Sequence, residues 1–262
     1  MPNNHFLNLK DDQVVLFVDI IGFSNIVMKS QNTEWEDKNI KGLMIHLPAL
    51  YNILTSGDFS HQYQKQMGIK FLWVSDSIII SCDKANVNNM LITLHKLINQ
   101  LYCTGFAIKG GISVGKLYHE NNIWGVPMIK AVQLEKQAVY PRVIISSDDF
   151  SKLDISDRYR SFFKLIENDY LYYDYFASFF SEQVDHNKNI SSYLNVYSTL
   201  IVDNFNECTE NAHKEKWRWL ARELGTTIQR HNDFINEMLE HNEVYSSVTT
   251  RRITNAEEYV SY

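Results

Sequence analysis

The sequence has few cysteines and no long apolar run. Its three cysteines, Cys82, Cys103 and Cys208, form no CxxC pair and have no histidines at metal-ligand spacing. This argues against a disulfide framework or a structural zinc site and favours reduced thiols in a cytosol. No apolar run approaches the roughly 20 residues that span a bilayer, and the first residues lack a charged-then-apolar leader. We therefore expect a cytoplasmic protein with no membrane partner.

The sequence also lacks an excess of basic residues. It has 25 lysines and arginines against 31 acidic residues, and the basic residues are scattered along the chain. Nucleic-acid binding depends on rows of cations that neutralise phosphates, so we expect no nucleic-acid polymer as a partner. Apolar residues make up 45% of the 262 residues, enough to bury the core of one large domain or of a domain with an appendage.

Hydrophobic patterning predicts an α+β fold. The apolar run from Gln13 to Ile21 is typical of a central strand covered on both faces. Further strands are predicted over 69–81 (a hairpin folded about Ser75, Asp76 and Ser77), 106–114, 116–124 (joined to the preceding strand at Gly115) and 142–146, and helices over 32–54, 86–101 and 127–138. The order β-α-β-β-α-β-β-α-β predicts a ferredoxin-like plan with a mixed sheet, extended at its end.

The character of the sequence changes near residue 148. Residues 1–148 are therefore expected to form one domain, which carries the candidate site described below. Residues 149–262 are expected to form an aromatic-rich, mainly helical extension that packs on the core or on a dimer partner. A long amphipathic helix is predicted over 211–239, followed by a loose polar terminus.

Two aspartates are candidate metal ligands. Asp19 lies near the end of the first strand, and Asp76 lies at the tip of the predicted hairpin. Each alone has a simpler interpretation, as a capping or turn-forming residue. If the two strands are neighbours, both carboxylates meet at one edge of the sheet and offer the oxygen ligands that Mg²⁺ or Mn²⁺ requires. Such a pair favours metal-assisted phosphoryl chemistry.

A turn that could bind phosphate follows Asp19. Gly22 allows this turn to approach a ligand closely. The backbone N–H groups of Gly22, Phe23 and Ser24 stand at the start of a helical stretch, where they suit phosphate oxygens.

Four ordered segments resemble the catalytic domain of class III nucleotidyl cyclases over about residues 14–146. They are FVDIIGFS, VSDS, IKGGISVGKLYHENNIWG and AVQLEKQAVYPRVIIS. The resemblance implies that Asp19 and Asp76 bind two metal ions, Mn²⁺ or Mg²⁺, and that the main-chain carbonyl of Ile20 adds a ligand.

The same resemblance implies further roles. The Gly22 and Phe23 amides would cradle a nucleoside triphosphate. Lys109 stands where the family usually has an arginine that faces the terminal phosphates, and it keeps the charge but loses the bidentate geometry. Family members build each active site across a two-fold interface, so a homodimer with composite sites is implied.

Two positions depart from the purine cyclases. Adenylate cyclases usually read the base with a lysine and an aspartate, and guanylate cyclases with a glutamate and a cysteine; here the aligned residues are Leu72 and Asn122. Asn122 can both donate and accept hydrogen bonds toward uracil or cytosine. The pattern resembles the pyrimidine cyclases of bacterial antiphage (Pycsar) systems, which make cyclic UMP or cyclic CMP for a separate effector protein; UTP is slightly favoured here over CTP. Lys70 keeps an adenylate cyclase open as the alternative.

A second departure concerns catalysis. The family's transition-state asparagine and arginine align with Ile129 and Gln133, so turnover is expected to be slow, and a nucleotide-binding domain without turnover is a further alternative. Lys130 could contribute a cation, but as a surface lysine it has a simpler interpretation. We expect Glu135 and Arg142 to form a structural ion pair between helix and strand.

Overall fold

The computed structural model describes residues 9–24, 59–120, 122–166, 169–185 and 190–241. The strands are β1 (Lys10–Ile20), β2 (Ile69–Val74), β3 (Ser77–Asp83), β4 (Ile108–His119), β5 (Ile123–Trp124), β6 (Val143–Ser146), β7 (Phe163–Ile166) and β8 (Tyr170–Tyr173). The helices are α1 (His61–Met67), α2 (Val87–Cys103), α3 (Val126–Gln137), α4 (Ser147–Ser151), α5 (Asp157–Arg160), α6 (Tyr175–Asp185), α7 (Ser191–Glu207) and α8 (Asn211–His241). The helix predicted over 32–54 and the loose terminus lie outside the described residues.

These strands form one mixed sheet. The strand order is β2-β3-β1-β4-β6-β8-β7, and β5 pairs with β4. Among the described strands, β4 and β6 are parallel and the other pairs are antiparallel. The predicted α+β class with a mixed sheet and a helical C-terminal extension is confirmed.

The central strand β1 is covered on both faces. Val14, Leu16 and Val18 are fully buried on one face. Val15 and Phe17 alternate with them and pack in a cluster that includes Ala131 of α3. This explains the continuous apolar run, because a strand between two layers has no solvent face.

Strand β4 corrects the predicted turn at Gly115. The chain continues through this glycine as one strand to His119, and β5 is only two residues long. Gly115 adopts φ +153 and pairs with Gln13, next to a shift in the β1–β4 register. The glycine therefore accommodates an irregularity within a continuing strand rather than a reversal of direction.

The chain divides into two compact units after Tyr173. This division lies beyond residue 148 because β7 and β8 continue the sheet of the first unit. The second unit contains α6, α7 and α8, and its core is aromatic: Tyr175 and Tyr197 join their hydroxyls at 2.6 Å, with Phe179 packed against both rings. None of the described helices combines the length and the apolar character needed to cross a membrane.

Gly111 lets α3 lie directly on β4. A Cβ at this position would fall less than 3.0 Å from the Ala131 carbonyl oxygen and from Cβ of Leu134. We predict that Gly111→Ala lowers the free energy of unfolding by about 1–3 kcal/mol, because the helix must move away from the strand. Urea unfolding measures this. Gln137→Ala, at an exposed position of the same helix, should change stability by less than about 0.5 kcal/mol. Equal stabilities of the Gly111 variant and the native chain would contradict the close packing.

Candidate active site

The structure brings Asp19 and Asp76 to the same edge of the sheet. Strand β1 lies between β3 and β4, and Asp19 stands opposite Ser77 on one side and Lys109 on the other. Beyond Asp19, the Ile20 N–H donates to the carbonyl of Asp76 at 3.0 Å. Ser75 has φ +57, which closes the two-residue turn that carries Asp76. Asp19 on β1 and Asp76 in the turn before β3 therefore lie at the same end of two neighbouring strands.

The turn that follows Asp19 is open to solvent. The Ile21 N–H donates to the carbonyl of Ala107 at 2.8 Å, which holds the chain as it leaves β1. Gly22 is exposed at φ +80, and no described atom lies within 4 Å of the place a Cβ would occupy. A helical stretch begins at Phe23 and Ser24. The predicted phosphate-binding amides thus lie next to Asp19 on an accessible turn.

Lys109 stands between two carboxylates. Its Nζ lies 3.9 Å from Oδ2 of Asp19 and forms a direct ion pair with Oε1 of Glu135. The Lys109 side chain is 21% exposed, whereas that of Glu135 is only 6% exposed. The ammonium is therefore held between the helix and the edge of the sheet.

The prediction of an ion pair between Glu135 and Arg142 is wrong. Arg142 donates from Nε to the carbonyl of Ala138 at 3.1 Å, and its guanidinium lies over the rings of Tyr140 and Tyr172. Glu135 instead reaches Lys109, because Gly111 allows α3 to approach β4 closely. The two glycines after Lys109 indicate that another part of the chain packs closely on this strand. They do not indicate which helical side chain then contacts Lys109.

The donor set at this edge fits Mg²⁺ or Mn²⁺. Asp19, Asp76 and the carbonyl of Ile20 offer oxygen ligands only, which these ions prefer when phosphates and water complete the coordination. Among the described residues, no group of three or more His, Cys, Asp or Glu side chains could hold a metal ion.

Leu72 and Asn122 differ in their surroundings. Leu72 is half-buried on β2 and packs on the apolar cluster that also contacts Ile123. Asn122 is exposed, and its carbonyl accepts the N–H of Glu120 at 3.0 Å. Ile123, the residue after Asn122, therefore packs on the same apolar cluster as Leu72.

Lys70 is paired with the end of β4. Its ammonium donates to Oε1 of Glu120 at 3.0 Å and to the carbonyl of His119. Both side chains of the ion pair are about half exposed, so the pair is weak. A purine-reading role for Lys70 would require its ammonium to leave these partners.

The positions aligned with the family's transition-state residues face solvent. Ile129 is 62% exposed, and Gln133 and Lys130 are also exposed on α3. Lys109, by contrast, places its ammonium 3.9 Å from the carboxylate of Asp19.

Comparisons with known proteins add a likeness of fold. No protein-family profile matches the chain, and no curated protein matches it. Among solved structures, the guanylyl cyclase Cya2 matches with 13% identity and a TM-score of 0.41, over 63% of this chain and 90% of that one. A bacterial light-regulated adenylyl cyclase matches with 12% identity and a TM-score of 0.39, over 63% and 88%. A second structure of a bacterial light-regulated adenylyl cyclase matches with 15% identity and a TM-score of 0.40, over 60% of this chain and 48% of that one. These values do not assign the chain to a family, so the function is inferred from the site residues.

His119, beside Lys70, provides a test of this part of the sheet. Burial, and secondarily the charge of Lys70, lowers the pKa of His119 to about 4, and Nδ1 lies 2.6 Å from Oγ of Ser81. Between pH 6.5, which equals the ordinary pKa of histidine, and about pH 4, the unfolded chain binds a proton at His119 that the folded chain does not. The free energy of unfolding should therefore fall as pH drops through this window, by up to about 1.4 kcal/mol per pH unit from this residue.

We predict that His119→Gln flattens this dependence. Urea unfolding between pH 7 and pH 4 measures it, and His61→Gln, at an exposed position of α1, should keep the native slope. The same slope in the His119 variant would show that another group causes the pH dependence.

Proposed function

We propose that this protein is a nucleotide cyclase, which converts a nucleoside triphosphate to the 3′,5′-cyclic monophosphate and pyrophosphate. The observation that carries the proposal is the placement of Asp19 and Asp76 at one edge of the sheet, with the Lys109 ammonium 3.9 Å from Asp19. The four ordered segments that resemble class III cyclases support it. The open turn at Gly22 adds amides suited to phosphate next to the acids.

Asp19, Asp76 and the Ile20 carbonyl would hold two divalent ions, Mn²⁺ or Mg²⁺. When bound, such ions lower the pKa of a coordinated hydroxyl and neutralise charge on phosphates. The chain's own contribution is to orient the triphosphate. The amides of Gly22, Phe23 and Ser24 donate to its oxygens, and Lys109 places a positive charge where the leaving pyrophosphate accumulates negative charge.

The reaction needs no protein nucleophile. The ribose 3′-oxygen forms a bond to the α-phosphorus as the bond to the bridging oxygen of the β-phosphate breaks, and the hydroxyl proton leaves to solvent. Positioning and electrostatic stabilisation supply the catalysis in such a displacement. With Ile129 and Gln133 in place of two polar family residues, this chain has fewer groups for that stabilisation, and slow turnover follows.

A pyrimidine is the proposed base, with UTP slightly favoured over CTP. Leu72 is packed among apolar side chains and offers no hydrogen bond to a purine. Asn122 is exposed and offers an amide that both donates and accepts. Lys70, the residue on which an adenylate cyclase would depend, is engaged by Glu120.

The resemblance to Pycsar cyclases extends the proposal to the cell. By that resemblance the protein is cytoplasmic, acts as a homodimer with composite active sites, and makes a second messenger in antiphage defence that a separate effector protein reads. The exposed position of Ile129 and Gln133 on α3 is consistent with a second subunit that completes the site.

A nucleotide-binding domain without turnover is the second candidate. The apolar Ile129 and neutral Gln133 at the aligned transition-state positions favour it. The retention of both aspartates favours catalysis.

The first test is incubation of the purified protein with each of the four ribonucleoside triphosphates and Mn²⁺, followed by chromatography and mass spectrometry. We expect a 3′,5′-cyclic pyrimidine monophosphate. Cyclic AMP would overturn the assignment of the base. Thermal stabilisation by a triphosphate without any product would favour the binding-only domain.

The metal assignment predicts that Asp19→Asn and Asp76→Asn each abolish cyclisation, because one carboxylate cannot hold both ions. The Mn²⁺-dependent thermal stabilisation by triphosphate should disappear as well. Asp148→Asn removes a carboxylate that is 91% exposed on α4, and it should retain both properties. Cyclisation that survives in both active-site variants would exclude these residues as the metal ligands.

A further inference from the structure

We propose that Glu135 is a positioning residue, which holds the Lys109 ammonium ready for the terminal phosphates of the substrate. The inference deepens the proposed function and rests on it. It starts from the unequal way in which Lys109 contacts its two acids: directly at Glu135, and at 3.9 Å at Asp19.

The burial of Glu135 makes this ion pair the dominant one. Its side chain is 6% exposed, whereas that of Asp19 is 26% exposed. A buried carboxylate without a partner is costly, and within the described part of the chain Lys109 is the cation that reaches Glu135. Asp19 interacts with the same ammonium at a longer distance and nearer to solvent. Lys109 is therefore anchored on its helix side and exposes its charge toward the edge of the sheet.

The backbone makes this arrangement rigid. Asp19 and Lys109 are direct partners in the β1–β4 ladder, so their Cα atoms cannot slide past each other. Gly111, two residues along the same face of β4, has α3 lying directly on it, and Glu135 is on that helix. Lys109 on β4 thus contacts one carboxylate from the helix and another from the end of β1.

The pair also controls how closely the ammonium approaches Asp19. If Glu135 lost its charge, the ammonium would shift toward Asp19, because the attraction of Glu135 would no longer oppose that of the second carboxylate 3.9 Å away. The lysine would then neutralise a metal ligand and turn away from the phosphates. Two carboxylates, those of Asp19 and Glu135, contact the one Lys109 ammonium, so the site binds a triphosphate together with its divalent ions rather than alone.

The experiment is a double-mutant cycle with Glu135→Gln, Lys109→Ala and the double variant. The probe is inorganic tripolyphosphate with Mn²⁺, its dissociation constant measured by isothermal titration calorimetry on the full chain. We expect Glu135→Gln to weaken binding about tenfold, and Lys109→Ala by at least as much. The double variant should be no weaker than Lys109→Ala, because Glu135 acts through Lys109. Kinetically, Glu135→Gln should raise KM for the nucleotide more than it lowers kcat.

Additive losses, or native affinity in Glu135→Gln, would overturn the positioning role and leave Glu135 as a structural brace. Glu135→Asp keeps the charge with one methylene less, so we expect an intermediate affinity. If Glu135→Gln does not fold, Glu135→Asp takes its place in the binding experiment. Native affinity in Glu135→Asp would then count against the proposal. Glu215→Gln removes the exposed Glu215–Arg218 pair of α8 and should bind as the native chain does.

The same measurements separate this inference from the proposed function. Binding that responds to Glu135 in a chain that forms no cyclic nucleotide would reject the cyclase and retain the positioning role. If the native chain forms a cyclic nucleotide and Glu135→Gln has native affinity and native KM, the positioning role alone is rejected. A native chain that neither binds tripolyphosphate with Mn²⁺ nor forms a cyclic nucleotide would overturn both.

Discussion

The register of β1 between β3 and β4 is the constraint on which the site depends. Because side chains alternate along a strand, a shift of one residue would move Asp19 to the opposite face of the sheet. The buried residues of β1 prevent this shift: Val14, Leu16 and Val18 fill one layer, and Val15 packs into the other. The hydrophobic core thus holds an acid beside the Asp76 hairpin.

The packing of α3 on β4 determines the electrostatics next to that acid. Gly111 removes the side chain that would separate the two elements, so Glu135 comes within reach of Lys109. Without Glu135, the Lys109 ammonium would lie closest to Asp19 when no phosphate is bound. The helix therefore influences the charge available at the sheet edge although it contributes no metal ligand to the proposed site.

The region around Leu72 and Asn122 shows a different balance. An apolar side chain occupies the β2 position, and the nearby Lys70 is held by Glu120 and by the backbone of His119. Specificity for a base depends on which hydrogen-bonding groups remain available, because an unpaired buried polar group discriminates strongly against the wrong partner. In the proposed pyrimidine cyclase, the exposed amide of Asn122 would supply such a group.

The sequence by itself determined the local features of this protein. The apolar run of β1, the hairpin at Asp76 and the periodicity of α2, α3 and α8 follow from patterns within a few residues, and the structure has each of them. Tertiary structure alone decided three others: the continuation of β4 through Gly115, the addition of β7 and β8 to the sheet, and the pairing of Glu135 with Lys109. Each of these depends on a neighbour distant in the chain, and a local pattern does not identify which partner packing will bring near.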